Sequence, residues 1–152
     1  MQAVHDHLQA LLDGMPPVVA MGISVANLGQ GQLTLKAPLA ANLNDKGNAF
    51  GGSLASILTL AGWGLTTAML HHAGRDAEVY VADSQLRYLS PLYGDLQATA
   101  TLAEGGDWDR FLARLDERGH AGIQLVATVA GAEGRPAATL EGRFVARLRT
   151  GG

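Results

Sequence analysis

Cysteine is absent from the 152 residues. Disulfides, thiol nucleophiles and cysteine metal sites are therefore excluded together, and the absence suits a reducing compartment. Aromatic residues make up only 5% of the chain, whereas glycine occurs 20 times. A core must then come from aliphatic side chains and close backbone approach. A large excess of one sign of charge is also missing: the formal net charge is −3, without blocks. No basic stripe points to nucleic acid and no acidic tail to a docking segment. The first residues, Met1 to His7, show no basic run followed by an apolar stretch, so no signal peptide is visible and a cytoplasmic location is expected.

The most informative absence is local. No charged side chain occurs from Gly47 to Ala73, and Asn44-Asp45-Lys46 leads into that stretch. An uncharged run of this length raises the question of a membrane span. Gly51, Gly52, Gly62 and Gly64, with Ser53, Ser56, Thr59, Thr66 and Thr67, argue against it, and soluble-looking strands follow. A helix that is mildly apolar all round fits the interior of a globular domain. No membrane association is expected.

What is present is strong periodicity. Val4, Leu8, Leu11 and Leu12 share one face of a helix that Gly14 and Pro16-Pro17 end. Val18 to Leu28 and Gln32 to Leu39 read as two strands around Gly29-Gln30-Gly31. An asparagine-rich loop, residues 40–48, leads into a helix over 51–72, with Leu54, Ile57, Leu58, Ala61, Leu65, Ala68 and Met69 on one stripe. Residues 78–90, 95–103, 121–130 and 135–149 read as strands, the last three alternating apolar and polar positions. Residues 107–118 read as a short helix capped by Asp107, with Phe111 and Leu115 inward. Hydrophobic residues make up 47% of the chain, enough for a single domain over residues 1–152. Strands around one central helix imply an α+β fold in which a curved antiparallel sheet wraps the long helix. A single sheet layer leaves edges, so a homodimer or dimer of dimers is expected.

The stretch Asn44-Asp45-Lys46-Gly47-Asn48-Ala49-Phe50-Gly51-Gly52-Ser53-Leu54, continuing to Leu60-Ala61-Gly62-Trp63-Gly64, resembles the thioesterase family typified by the C-terminal domain of YiiD. Val81-Ala82-Asp83-Ser84-Gln85-Leu86-Arg87-Tyr88-Leu89-Ser90-Pro91 and Gly105-Gly106-Asp107-Trp108-Asp109-Arg110-Phe111 support the likeness. It spans nearly the whole chain. The resemblance implies a hotdog fold, an acyl-thioester substrate and coenzyme A present only as part of that substrate, with no separate cofactor. Related hotdog thioesterases of the phenylacetate-pathway type carry an Asn, then His-Gly-Gly, then an acid on the helix. Asn44 matches the Asn. Phe50 stands at the His position and Thr59 at the acid position, so the usual carboxylate is missing.

Thioester hydrolysis needs a polarised carbonyl, an activated water and room for the acyl and pantetheine arms. Gly51 and Gly52 at a helix start can offer free amides to a developing oxyanion, or simply allow close packing. Asn44 and Asn48 can orient water or the carbonyl, or shape the loop. Asp45 is either a base or a solvated charge. Asp83, set among apolar neighbours, is the candidate general base if its pKa is raised; the alternative is an ion pair with Arg87. Ser84 points the other way, to position water or to bond within the core. Ser56 and Thr59 can line the thioester pocket or bond to the preceding turn, and Trp63 with Leu60 can shape an acyl tunnel. Arg110, Arg114 and Arg118 are either a solvated face or contacts for the phosphates of coenzyme A. The histidines show no metal-ligand spacing, so no metal is expected. An acyl-thioester hydrolase acting on coenzyme A or carrier-protein thioesters is the leading expectation. A non-catalytic acyl-thioester binding or regulatory module and a hotdog hydratase or dehydratase are the alternatives.

Overall fold

The computed structural model describes residues 1–150. Helix α1 (Gln2–Asp13) buries Val4, Leu8 and Leu12. A second short helix, α2 (Pro16–Met21), follows at once. This corrects the reading of Val18 onward as strand. Two prolines preset the backbone for a first helical turn, where their missing N–H groups cost nothing. Gly22, with φ +70°, ends the turn, and a side chain there would meet the Pro38 ring. Strand β1 (Ser24–Gly29) therefore starts six residues later than expected and pairs with β2 (Gln32–Ala37). Gln30 and Gly31, both at positive φ, form the two-residue turn between them.

Helix α3 (Gly51–His72) is followed by β3 (Ala77–Tyr88), β4 (Leu96–Leu102), α4 (Trp108–Arg118), β5 (His120–Ala130) and β6 (Pro136–Leu148). The strands form one antiparallel sheet in the order β1-β2-β4-β5-β6-β3. One face of each inner strand is apolar and buried: Leu33 and Leu35, Ala98 and Ala100, Leu125 and Val129, Leu140 and Phe144. Helix α3 packs on that face, as the α+β and hotdog expectations required. It is long and apolar enough to cross a membrane, but 61% of its apolar window is buried inside the domain. It is the core helix. Its glycines matter for contact: a Cβ at Gly62 would lie 2.4 Å from the Phe144 ring, and one at Gly64 2.6 Å from Leu33. Gly62→Ala gains about 1 kcal/mol of helix propensity, but overpacking typically costs about 1–3 kcal/mol. Since Phe144 is fully buried and cannot retreat, the expected result is a lower unfolding midpoint in a denaturant titration.

Asp107 caps α4, as expected: its Oδ1 accepts hydrogen bonds from the amides of Asp109 (2.9 Å) and Arg110 (3.2 Å). Phe111 and Leu115 point inward and are fully buried. At the far end of α3, His71 stacks on His7 of α1, with ring centroids 3.9 Å apart and planes within 7°. Burial, then the neighbouring His71, lowers the His7 pKa from its usual value. The fold thus favours neutral His7. Its contribution to stability is complete above the unfolded-state pKa, near 6.5, and is lost as the pH falls through the lower folded value. Acidification from pH 7 to 5 is expected to lower the melting temperature, and His7→Phe to flatten that slope.

Candidate functional site at the start of α3

The loop before α3 is built by its own asparagines. Asn44 Oδ1 accepts from the amides of Lys46 (2.8 Å) and Asn48 (3.1 Å), and Asn44 Nδ2 donates to Asn48 Oδ1. The Asn44 amide donates to the Asn48 carbonyl at 2.9 Å. The side-chain oxygen and nitrogen of Asn44 are therefore both engaged within the loop, which favours the loop-shaping reading of this residue. Asn42, not singled out in the sequence, is buried and holds the base of the loop. Its Nδ2 donates to the carbonyls of Met21 and Pro38, both at 2.8 Å. The amides of Phe50 and Ala49 bond to the carbonyls of Asn42 and Leu92, each at 2.8 Å. These bonds fix the extended backbone at Phe50 from which the helix springs.

That helix start carries no side-chain cap, because Phe50 occupies the N-cap position. The Phe50 carbonyl accepts from the amides of Ser53 and Leu54. Among the described residues the amides of Gly51 and Gly52 have no protein acceptor, and Gly52 is exposed. Two N–H groups at the positive end of a 22-residue helix are thus presented outward. A Cβ at Gly52 would lie 2.5 Å from the Phe50 ring, so this glycine lets the phenyl group close over the turn. Tyr88 of β3 joins the site, its hydroxyl donating to the Gly51 carbonyl at 3.2 Å. The sequence reading passed over Tyr88, since an aromatic on a strand is ordinarily packing.

Strand β3 runs back along α3, with Tyr88 beside Gly51 and the Trp63 Nε1 bonded to the Val79 carbonyl at 3.1 Å. Ser84 lies between these two contacts. In register with buried Gly142, it faces the helix side, as expected, but it is exposed rather than bonded into the core. Along α3, Gly52, Ala55, Ser56, Thr59, Leu60, Trp63 and Thr67 form a stripe that is not fully buried, and none is charged. Ser56 donates to the Gly52 carbonyl at 2.8 Å, the preceding-turn bond. Thr59 and Leu60 line an open apolar groove of about 370 Å³ with Pro17, Val18 and Met21. Trp63 lies about 18 Å along the axis from Gly51, in a separate depression with His7, Leu11 and Tyr80. It does not adjoin the helix start.

Asp83 requires a correction. It is not set among covering apolar groups: β3 is an edge strand, and Asp83 is exposed. A bulge between Val81 and Asp83 puts it in register with Arg143, on the sheet face away from α3. Nor does it pair with Arg87. Residues four apart on a strand are about 13 Å apart, whereas the same spacing on a helix makes neighbours, and no ion pair forms between them among the described residues. Asp45 is fully exposed and bonds to Lys46 at 2.7 Å; that hydrogen bond, then the lysine charge, lowers its pKa and makes it a weaker base. Among the described residues no group of three or more histidines and carboxylates is placed to hold a metal ion.

Comparison with known proteins agrees with this fold. Residues 5–148 match the family described as "Putative thioesterase (yiiD_Cterm)". The chain is similar to the solved structure of a Chlorobaculum tepidum protein of unknown function, with 25% identity, a TM-score of 0.90, and coverage of 96% of this chain and 95% of that one. It is also similar to a Shewanella oneidensis protein described as a "putative thioesterase", with 25% identity, a TM-score of 0.86, and coverage of 98% and 100%. A curated arginine–tRNA ligase of Nitrosospira multiformis is 38% identical over 104 residues, which is 64% of this chain and only 18% of the ligase.

Proposed function

Because this chain belongs to the thioesterase family of the YiiD C-terminal type, we propose that it is a cytoplasmic hydrolase of acyl thioesters carried on coenzyme A or a carrier protein. The observation that carries the reading is the uncapped start of α3. Among the described residues the amides of Gly51 and Gly52 have no protein acceptor, and they open a helix whose partly exposed stripe is uncharged. Water attack turns the thioester carbonyl oxygen into an oxyanion, and donors already fixed in place stabilise it without reorganisation. Tyr88 and the Asn44–Asn48 loop hold the two amides in position, Ser84 lines the route along β3, and the groove at Thr59 and Leu60 accepts the acyl chain.

The base comes from a second copy of the chain. The uncovered stripe of α3 carries no acid, and Asp45 is held ionised by Lys46. Strand β3 has hydrogen-bonded neighbours on one side only, and Tyr80, Val81, Tyr88 and Leu89 on or beside it are exposed. An unpaired edge bearing exposed apolar groups is suited to pairing. In the proposed homodimer two β3 edges meet, and Asp83, exposed on that edge strand, serves the site of the other copy.

The test is a panel of acyl-coenzyme A thioesters of increasing chain length, followed by the release of free thiol. Turnover of at least one member is expected; silence across the panel would overturn the hydrolase reading. The absence of any charge in the α3 groove also favours a second reading, a non-catalytic acyl-thioester binder. Tight binding of an acyl-coenzyme A that stays intact would select it.

A further inference from the structure

Away from the α3 groove, two guanidinium groups converge on one glycine. Where β4 ends, β5 continues with β6 as its one sheet neighbour, and the loop 103–107 turns away into α4. A pocket of about 310 Å³ opens there. Arg114 of α4 reaches the Gly122 carbonyl at 3.4 Å. Arg143 of β6 lies across the same residue: a Cβ at Gly122 would be 2.6–2.8 Å from its guanidinium. Arg110 lines the mouth. None of the three has a carboxylate partner among the described residues, whereas Arg75 and Arg149 do. The two acids in the lining are Glu104 and Asp107, and Asp107 is engaged as the cap of α4. Like charges brought to one point repel unless an anion lies between them. In a chain of net charge −3, general basicity does not account for the cluster.

We propose that this pocket binds a phosphate ester, with Arg114 and Arg143 as a two-guanidinium clamp and Arg110 at its entrance. Planar guanidinium forks suit phosphate oxygens. Gly122 leaves Arg143 the room to lie flat, and Gly105 and Gly106 add two positions without side chains to the lining. The sequence reading grouped Arg110, Arg114 and Arg118. The fold replaces Arg118 with Arg143, which is 25 or more residues away in sequence. Assignment of the ligand to the nucleotide end of a coenzyme A thioester rests on the function proposed above; a separate phosphate metabolite would use the same chemistry.

Equilibrium calorimetry on the intact protein separates the two sources. The probes are free coenzyme A, pantetheine and inorganic pyrophosphate, none of which contains a thioester to cleave. Hence loss of the hydrolase reading would leave this measurement unaffected. Charge-assisted hydrogen bonds of this type correspond to roughly tenfold or more in affinity. Arg114→Gln and Arg143→Gln are each expected to weaken coenzyme A binding by about that factor, with pantetheine unaffected. Gly122→Ala is expected to act like Arg143→Gln by displacing the guanidinium. Arginine-dependent binding of pyrophosphate alone would support the clamp and assign it to a separate phosphate ligand. If all three variants bind coenzyme A and pyrophosphate as the parent protein does, the proposal is overturned. The arginine side chains are exposed, so unchanged melting temperatures are expected to accompany the binding data.

Discussion

Gly51→Pro is expected to lower kcat for thioester hydrolysis by about two to three decades, the usual effect of removing one oxyanion donor, while Gly51→Ala stays within a few-fold of the parent. Proline lacks the N–H but otherwise suits the first position of a helix. The backbone already accepts it. Phe50 has φ −64° and ψ 131°, the extended conformation that a residue before proline prefers. A Cβ at position 51 meets only the Tyr88 ring at 3.6 Å, an ordinary contact. Alanine adds the same Cβ and keeps the amide, so the pair isolates the hydrogen-bond donor from the added bulk. Gly52 is less suitable, because any side chain there strikes Phe50. The measurement is kcat and KM on an acyl-coenzyme A, with circular dichroism to show that the helix remains. A drop confined to kcat places the donor at the transition state. Equal kcat values in the two variants would show that the Gly51 amide does not meet the oxyanion.

Sequence alone revealed those features of the fold that repeat. Alternation in β4, β5 and β6 marked the buried faces, and the uncharged run marked α3 as the core helix, because few other places accept a helix apolar on nearly every side. The Gly-Gly junction was visible for the same reason: close approach demands glycine. Features that depend on distant partners were hidden. Pro16-Pro17 reads as a terminator, yet it starts α2. Tyr88 reads as packing until β3 folds back along α3 to meet Gly51. Asp83 was misplaced because the reading did not include sheet order: β3 follows α3 in sequence but lies at the sheet edge beside β6. The alternative pairing with Arg87 has the strand face right but not the reach, since four strand residues span about 13 Å. The arginine clamp joins α4 to β6 across β5, a contact that no local pattern encodes.

Asp83→Asn is expected to reduce kcat by about two to four decades, the range for loss of a positioned general base, with KM and oligomeric state little changed. The reasoning is one of placement. The helix stripe is uncharged, Asp45 is weakened by Lys46, and the His7–His71 pair lies at the other end of α3, about 30 Å from Gly51. Asp83 lies mid-strand on β3, the edge from which a second copy can be reached. Asparagine preserves the size and most of the hydrogen bonding but cannot accept the proton of an attacking water. A companion variant, Val81→Lys, places charge on the exposed β3 edge, where edge charges oppose strand pairing. If the site is shared, Val81→Lys yields monomers by analytical ultracentrifugation and loses hydrolysis with them, although each copy keeps its own Gly51 and Gly52. The decisive mixture combines Asp83→Asn with Gly51→Pro chains. Within one mixed dimer, one of the two sites receives an intact Asp83 and an intact Gly51, so about half of the parent activity per mixed dimer returns only when the base acts across the interface. Without that recovery, the base and the amides belong to one chain. Full activity in Asp83→Asn would remove this residue from the chemistry and leave the Gly51-Gly52 amides as the principal catalytic device.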